Sequence, residues 1–305
     1  MKILITGATG FLGRNLVRYL DQFDYDLILT DKPPYLFDQE VRESWWMNKI
    51  IYHCDLDEDI HKLEDRLDNI DTVFHLANIA RIPPSWAKYD EYYKTNISSS
   101  QQLFESCQRR GVKRFIYISS SSVYGNTISQ SENSIPCPTN PYAVSKLAAE
   151  WALRVQAQRG NTELIIVRPF TMYGEFMDWG KDGLVITQFL DAWEKDHPLM
   201  LHGGGEQTRD FLHSSDAVVG LKIIMEYGHS GEIYNLGSGV AVKIKDIADV
   251  ISSKQVIVPH RTGAVMQTKA KIDKLQQLGF QPQIDVIKWI KDYMHSRKAK
   301  HVKSL

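Results

Sequence analysis

The sequence predicts a doubly wound α/β fold, in which helices cover both faces of a parallel sheet. Two observations carry this prediction. Short apolar segments alternate with helical segments along the first 174 residues, as in chains of repeated βα units. The apolar segments, of which 164–167 is the clearest, are apolar throughout rather than at every second residue. Such runs are typical of strands that are buried on both faces of a sheet.

The elements can be assigned in order from the N-terminus. Lys2–Thr6 is an apolar β-run, and Phe11–Leu20 carries its leucine and valine residues at helical spacing. The same reasoning assigns strands at 26–30, 50–54, 72–76, 114–119 and 163–167, and helices at 97–110 and 142–158. Residues 1–174 are therefore expected to form the main parallel-sheet domain.

The alternation of strands and helices stops near Gly174. Segments rich in glycine, aspartate and histidine, such as 202–205, separate shorter helices. Residues 175–305 are expected to form mainly a smaller, mixed α/β region. A later segment near 206–236 is expected to return to the main sheet, because 216–227 reads as another helix that covers a sheet.

Composition and charge exclude several classes of protein. The 305 residues include 36 basic and 37 acidic ones, so the net charge of -1 gives no reason to expect nucleic-acid or membrane-surface binding. Three widely spaced cysteines predict neither a disulfide framework nor a metal site, and they suit a reducing, cytoplasmic location. No apolar window approaches the roughly 20 residues of a membrane span, and the apolar run at the N-terminus is too short for a signal peptide.

A glycine-rich turn follows the first strand. Gly7, Gly10 and Gly13 are spaced Gly-x-x-Gly-x-x-Gly, and they open the first helix. This context lets the backbone approach a pyrophosphate, whereas the glycines alone could form only a tight turn. Asp31, at the end of the second strand, could accept hydrogen bonds from a ribose 2′-hydroxyl and would repel a 2′-phosphate, which favours NAD. Asp55, after the third strand, could bind adenine or cap a helix.

Two further motifs carry acid–base and hydroxyl groups. Tyr142 and Lys146 stand at i and i+4, hence on one face of a helix. A cationic lysine is expected to lower the pKa of the phenol and make it a general base. The hydroxyl run 119–122 ends a strand at the edge where such sheets bind ligands, although serine-rich loops also satisfy their own backbone.

In order and spacing, these motifs resemble the extended short-chain dehydrogenase/reductases. The resemblance covers nearly the whole chain, and within that family the sequence is similar to nucleotide-sugar 4-epimerases of the UDP-galactose 4-epimerase type. The family has a Rossmann-type fold. The residues that carry the resemblance are Gly7–Gly13, Asp31, His75-Leu76-Ala77, Asn96, Ser119–Gly125, Tyr142–Lys146, Arg168–Gly174, Arg209–His213 and Arg261-Thr262-Gly263.

The resemblance implies a role for each matching position. Ser120, Tyr142 and Lys146 would be catalytic, with Tyr142 as the base. The NAD site would be lined by Gly7, Gly10, Phe11, Leu12, Gly13, Asp31, Asp55, Leu56, Leu76, Ala77, Asn96, Ser119, Tyr142, Lys146, Pro169 and Phe170. The sugar nucleotide, most simply a UDP-sugar, would contact Ser121, Ser122, Thr171, His202, Arg209 and Arg261, of which the two arginines would grip its diphosphate.

The positions after the catalytic hydroxyl separate the reactions of the family. Dehydratases of this type carry Asp-Glu where this chain has Ser121 and Ser122, and decarboxylases carry a glutamate at the second position. Epimerisation at C4, or reduction of a keto-sugar, is therefore expected; a non-enzymatic scaffold would have lost the catalytic trio. Thr171 replaces the asparagine that is usual in the family, and His202 replaces an aromatic residue.

The family also suggests an assembly and a setting for the protein. The helices 97–110 and 142–158 resemble those that pair as a four-helix bundle in homodimers of the family. At the level of the family, cell-surface polysaccharide biosynthesis is the expected use of the product.

Overall fold

The fold centres on a seven-stranded parallel sheet. The computed structural model describes residues 1–32, 49–127, 130–178, 183–260 and 265–303, with the side chains of the last segment placed up to residue 297. The strand order of the sheet is β10-β6-β5-β4-β1-β2-β3, and all six pairings are parallel. The strands are β1 (Lys2–Thr6), β2 (Asp26–Asp31), β3 (Ile51–His53), β4 (Thr72–His75), β5 (Arg114–Ile118), β6 (Glu163–Pro169) and β10 (Ile233–Leu236).

Helices cover both faces of this sheet. On one face α1 (Phe11–Leu20) and α8 (Ser214–Tyr227) bury leucine, valine and isoleucine side chains against β1, β5 and β6. On the other face α5 (Ser100–Arg109) and α6 (Pro141–Ala157) pack with the alternate residues of the same strands. The doubly wound, Rossmann-type fold is therefore confirmed, and its ligand-binding edge is the one where the strands end.

The helix before β5 is longer than the apolar spacing predicts. Helical backbone begins with α4 (Tyr89–Tyr93), passes through a π-helical turn at Lys94–Ser99 and continues into α5. The expected start at residue 97 was wrong because the first two turns are polar and aromatic, with little apolar period. π-Helical turns are rare and frequently occur at functional sites, and this one contains Asn96.

The remaining elements form the C-terminal region and its connections. Strand β9 (Thr208–His213) lies between β7 (Thr171–Tyr173) and β11 (Ala241–Lys243), and β8 (Leu199–His202) pairs with β12 (Gln255–Val258). Of the segment near 206–236, α8 covers the main sheet and β10 extends it, whereas β9 does not belong to it. The other helices are α2 (His61–Glu64), α3 (Ile82–Ser85), α7 (Val185–Glu194), α9 (Ile244–Ile251), α10 (Asp273–Gln277) and α11 (Val286–Lys303).

The C-terminal region has its own apolar core. Buried isoleucine, leucine and phenylalanine side chains of α7, β8 and α9 pack against Val286 and Ile290 of α11. Phe11, the first residue of α1, is partly buried against this core. The start of α1 therefore contacts both the main sheet and the C-terminal region. Within the described residues no helix combines the length and apolar character needed to cross a membrane.

His75, at the end of β4, is held neutral by its surroundings. Its Nδ1 lies 2.8 Å from Thr6 Oγ1 and is the acceptor of that bond, because the neutral ring carries its only proton on Nε2; the Thr6 oxygen also accepts from the Ala77 N–H. Its Nε2 donates to Ser100 Oγ at 2.9 Å, because that hydroxyl itself donates to the Asn96 carbonyl. Complete burial lowers the pKa of His75 from 6.5 to about 3, and the charge on Lys146 acts in the same direction.

We therefore expect the free energy of unfolding to decrease at acidic pH because of His75. The unfolded chain binds a proton that the folded chain does not, so this contribution is complete above pH 6.5 and is lost as the pH falls towards 3. Between pH 7.5 and pH 5 the loss should be about 2 kcal/mol of unfolding free energy. Urea unfolding at both pH values checks this, with His75→Gln as the comparison. An equal loss in wild type and His75→Gln would contradict it.

Candidate active site

The glycine turn is shaped by close backbone contacts on one side and open space on the other. A Cβ on Gly13 would lie 2.2 Å from the Gly7 carbonyl oxygen, so only glycine fits at the start of α1. Among the atoms of the described residues, a Cβ on Gly10 would meet only that same oxygen, at 3.4 Å. The described protein atoms therefore leave room for a side chain at Gly10, and that space suits the close approach of a ligand.

The N-terminus of α1 is suited to an anion. Gly10 is the residue before the helix, and within the described residues no side chain caps the first N–H groups. Free N–H groups and the positive end of the helix dipole together favour a phosphate at this point. Leu12 is buried in the core and Phe11 packs against the C-terminal region, so these two residues offer a ligand their backbone.

Asp31 lies beside the glycine turn. Its Oδ2 accepts hydrogen bonds from the Thr9 N–H at 2.8 Å and the Thr9 hydroxyl at 2.7 Å, and its Oδ1 accepts from the Lys32 N–H. Lys32 Nζ lies 3.7 Å from an oxygen of Asp55. Both carboxylates thus stand at the ends of β2 and β3, where an adenosine ribose and base would lie. Leu56 is buried in the core beneath them.

Tyr142 and Lys146 lie on the buried face of α6. The helix is capped by Asn140, whose side chain accepts from the Ala143 N–H at 2.9 Å. The Lys146 ammonium donates to Asn78 Oδ1 at 2.6 Å and to the Ile118 carbonyl, and it lies 4.3 Å from the centre of the Tyr117 ring. Burial lowers its pKa well below 10.5, and the charge on Glu150 opposes this change.

The expected lowering of the Tyr142 pKa is wrong for the protein's own groups. Burial raises the pKa of this phenol to about 12, the Tyr92 phenol adds to the rise, and the Ser120 hydroxyl opposes it. Desolvation dominates because the phenolate would be an anion in an apolar environment. The ammonium of Lys146 is committed instead to Asn78 and Ile118.

Ser119 and Ser120 end β5 with different environments. Ser120 Oγ accepts from the Ser122 N–H at 3.1 Å and lies beside Tyr142. Ser119 donates its hydroxyl hydrogen bond to Glu150, away from the cleft. Glu150 also receives two hydrogen bonds from Arg168, Nε to Oε1 at 3.0 Å and NH2 to Oε2 at 2.5 Å. This ion pair is almost completely buried and joins α6 to the ends of β5 and β6.

The π-helical turn fixes the loop that follows β4. Asn96 accepts from the Ile79 N–H at 2.9 Å and donates to the Ile79 carbonyl, and its amide also donates to Ser145 Oγ on α6. Asn96 is fully buried, and both its side-chain oxygen and its side-chain nitrogen are bonded within the protein. Leu76 and Ala77 are partly buried against the two cores.

A phenol of α4 reinforces this arrangement. Tyr92 OH donates to the Arg81 carbonyl at 2.5 Å, and its ring meets Tyr142 edge-on at 6.3 Å. The loop after β4, the helix that contains the π-helical turn and α6 are thereby held together.

The residues after β6 lead from this cleft towards the C-terminal region. Pro169 is buried, and the Phe170 ring packs near Tyr124 in a small apolar cluster with Ala270 and Ile272. Thr171 opens β7 and pairs with Phe211 of β9. Ser121 and Ser122 begin the helical turn Ser121–Tyr124.

Of the three remaining substrate candidates, the structure describes two, and both lie in the C-terminal region. Arg209, on β9, is partly buried, donates to the Thr208 carbonyl and has a pKa lowered by burial. The His202 ring bonds the Pro259 carbonyl through Nδ1 at 2.9 Å. Arg261 falls outside the residues that the structure describes.

Three residues with contacts in this site escaped the motif reasoning. Glu150 was visible in principle, because it stands four and eight residues after Lys146 and Tyr142 on one helix face. Asn78 directly follows the motif that ends with Ala77. Tyr92 had no signal, since its position depends on the unpredicted first turns of its helix.

Comparison with known proteins agrees with this geometry. A sequence profile described as the NAD dependent epimerase/dehydratase family matches residues 3–237. A dTDP-D-glucose 4,6-dehydratase from Mus musculus is 28% identical, with 97% of this chain and 90% of the relative covered. The crystal structure of a UDP-glucose 4-epimerase from Thermotoga maritima, with UDP-glucose, has a TM-score of 0.89, 26% identity and coverage of 97% and 99%.

A second solved structure shares the fold and a larger fraction of residues. A UDP-glucuronic acid 4-epimerase variant from Bacillus cereus, in complex with NAD and a 4-deoxy-4-fluoro analogue of UDP-glucuronic acid, has a TM-score of 0.86. It is 30% identical, and the match covers 96% of this chain and 100% of that one. The glycine turn, the uncapped start of α1 and Asp31 fit a dinucleotide. This chain belongs to the NAD-dependent epimerase/dehydratase family, and NAD is its cofactor.

Proposed function

We propose that the protein is a 4-epimerase of a UDP-sugar, acting through a transient 4-keto intermediate. The observation that carries the proposal is the pair Ser121 and Ser122 after the catalytic hydroxyl. Elimination of water from a sugar needs an acid and a base at the reacting carbons, and serine hydroxyls have no pKa near neutrality. Epimerisation needs only one reversible proton transfer from the side chains, at the sugar O4, because NAD would accept the C4 hydride and return it.

The residues of the cleft divide the work of this reaction. Tyr142 takes the proton from the sugar 4-hydroxyl and returns it, while Ser120 holds the same oxygen. Lys146 binds the nicotinamide ribose and brings a positive charge to the site. NAD, when bound, supplies a reversible hydride acceptor and a cationic ring. Positive charge near the phenol opposes the burial that raises its pKa to about 12.

The protein holds the sugar nucleotide at its diphosphate and nucleotide groups, away from the reacting C4. Arg209 and Arg261 grip the diphosphate, and Thr171 and His202 contact the rest of the nucleotide. Guanidinium groups suit this task because they bind phosphate oxygens in pairs. A grip that does not touch C4 lets the keto-sugar turn and present its other face. The structural relatives with UDP-glucose and a UDP-glucuronic acid analogue support a UDP-sugar.

Proton NMR of the purified protein with a panel of UDP- and dTDP-sugars tests this function. Interconversion of one sugar with its C4 epimer, without added cofactor, is the expected result. A 4-keto-6-deoxy product would instead show a dehydratase. Consumption of a keto-sugar only when NADH or NADPH is added would show a reductase, the alternative reading of the sequence.

Asp31 is expected to select NAD over NADP. Its carboxylate would repel a 2′-phosphate, and without it Lys32 would remain beside that phosphate. Asp31→Ala should shift the ratio of the NAD and NADP dissociation constants by about tenfold towards NADP, a shift of roughly 1.4 kcal/mol. Fluorescence titration with both nucleotides measures this. Asp26→Ala, at the exposed start of β2, is the control, and an unchanged ratio in Asp31→Ala would refute the role.

We also propose a homodimer, formed when α5 and α6 of two chains make a four-helix bundle. Trp151 and Val155 of α6 are about 60% exposed, and Val144 extends this apolar stripe. Exposed apolar stripes of this kind favour association. Trp151→Glu should give a monomer in analytical ultracentrifugation at micromolar concentration. Ile257→Glu, at a more exposed position on β12, should stay dimeric; a monomeric wild type would contradict the proposed dimer.

A further inference from the structure

The ammonium of Lys146 is enclosed on several sides by protein groups. Its Nζ donates to the side-chain oxygen of Asn78 at 2.6 Å and to the Ile118 carbonyl, and the Tyr117 ring lies beneath it. An ammonium has three N–H donors, so these two acceptors leave one for a ligand. Because N–H directions on one nitrogen are tetrahedral, fixing two of them fixes the third.

We propose that Asn78 is a positioning residue that orients the Lys146 ammonium for the cofactor ribose. The inference deepens the proposed function and depends on it only for the role of Lys146 in turnover. Ile118 contributes a backbone carbonyl that no substitution removes. Asn78 is therefore the one side chain among these acceptors, and it decides whether the ammonium is held by one protein acceptor or by two.

The loop that carries Asn78 is itself held in place. The next residue, Ile79, is bonded through both its N–H and its carbonyl to the buried side chain of Asn96. Two residues further, the Arg81 carbonyl accepts from the Tyr92 hydroxyl. A loop fixed at two points keeps the Asn78 oxygen at a defined place, as the support of a functional group requires.

The groups near Lys146 determine how substitutions at residue 78 should change the pH at which Lys146 loses its proton. Tyr142 and Glu150 face it from its own helix, Tyr117 from β5 and His75 from β4. Burial already favours the neutral amine, and an acceptor at residue 78 favours the ammonium. Removing that acceptor should make Lys146 lose its proton at lower pH, whereas a carboxylate there should make it keep the proton to higher pH.

Calorimetric titration of NAD into the nucleotide-free, 305-residue chain tests the proposal with three variants. Asn78→Leu, of similar volume but without an acceptor, should bind NAD about tenfold more weakly, as expected when the ammonium is no longer oriented and its charged hydrogen bond to the ribose is lost. Asn78→Asp keeps the acceptor and should bind with nearly the wild-type affinity. The control Asn161→Leu, exposed at the opposite end of β6, should leave the affinity unchanged.

The pH dependence of the same titration separates orientation from packing. The alkaline loss of NAD affinity should move to lower pH in Asn78→Leu and to higher pH in Asn78→Asp. Wild-type affinity in Asn78→Leu, or weaker binding by Asn78→Asp than by Asn78→Leu in folded protein, would overturn the proposal. Because the titration needs no sugar, it tests the role of Asn78 even if the NMR assay finds no epimerisation.

Discussion

Replacing Tyr142 with phenylalanine should reduce turnover by at least about 100-fold, the low end for the loss of general acid–base catalysis. The phenol is buried on α6, and the protein's own groups raise its pKa to about 12. In its proposed role it would therefore exchange a proton with the sugar only when positive charge lies close by. Phenylalanine fills the same space, so the fold and the affinity for NAD should be unchanged.

Tyr92→Phe is the matched control for this substitution. It removes a second buried hydroxyl, one that bonds the Arg81 carbonyl, while it keeps the ring that meets Tyr142 edge-on. Turnover in Tyr92→Phe should stay much closer to wild type than in Tyr142→Phe. The measurement is the initial rate of C4 interconversion, together with NAD binding by titration. Near-wild-type turnover in Tyr142→Phe would remove this residue from the role of base.

The fold was predictable because its signals are local. Strands such as β1 and β6 are short apolar runs, and α1 and α6 carry apolar residues at helical spacing. The start of the helix before β5 was missed, because Tyr92 is buried while its neighbours are polar. The place of β9 beside β7 was also not predictable, since pairing between distant segments leaves no periodic trace.

The candidate site was predictable as a set of positions but not as a set of interactions. Spacing placed Tyr142 and Lys146 on one helix face, and the structure has them there. Spacing alone suggested that the lysine charge serves the phenol. The structure shows that the ammonium is bonded to Asn78 and Ile118 and that desolvation dominates both pKa values. The burial of the two side chains, and their bonds to other residues such as Asn78, depend on the whole fold. A two-residue motif therefore cannot predict them.

Breaking the buried Glu150–Arg168 pair should cause the largest loss of stability in this region. Both side chains are only 3% exposed, and two hydrogen bonds join them. Glu150→Gln leaves the guanidinium buried without a counter-charge, which typically costs about 3–5 kcal/mol of unfolding free energy. Urea unfolding monitored by circular dichroism measures the difference. The exposed pair of Glu64 with Arg109 is the control, and Glu64→Gln should have a much smaller effect.

The double variant Glu150→Gln with Arg168→Met distinguishes a charge effect from a packing effect. Methionine removes the unpaired charge and occupies part of the same volume, so the double variant should be more stable than Glu150→Gln alone by at least about 1 kcal/mol. Losses that simply add would show that the pair acts through packing. Because Glu150 also accepts from Ser119, next to Ser120, and opposes the lowering of the Lys146 pKa, turnover should stay low in the double variant even where stability recovers.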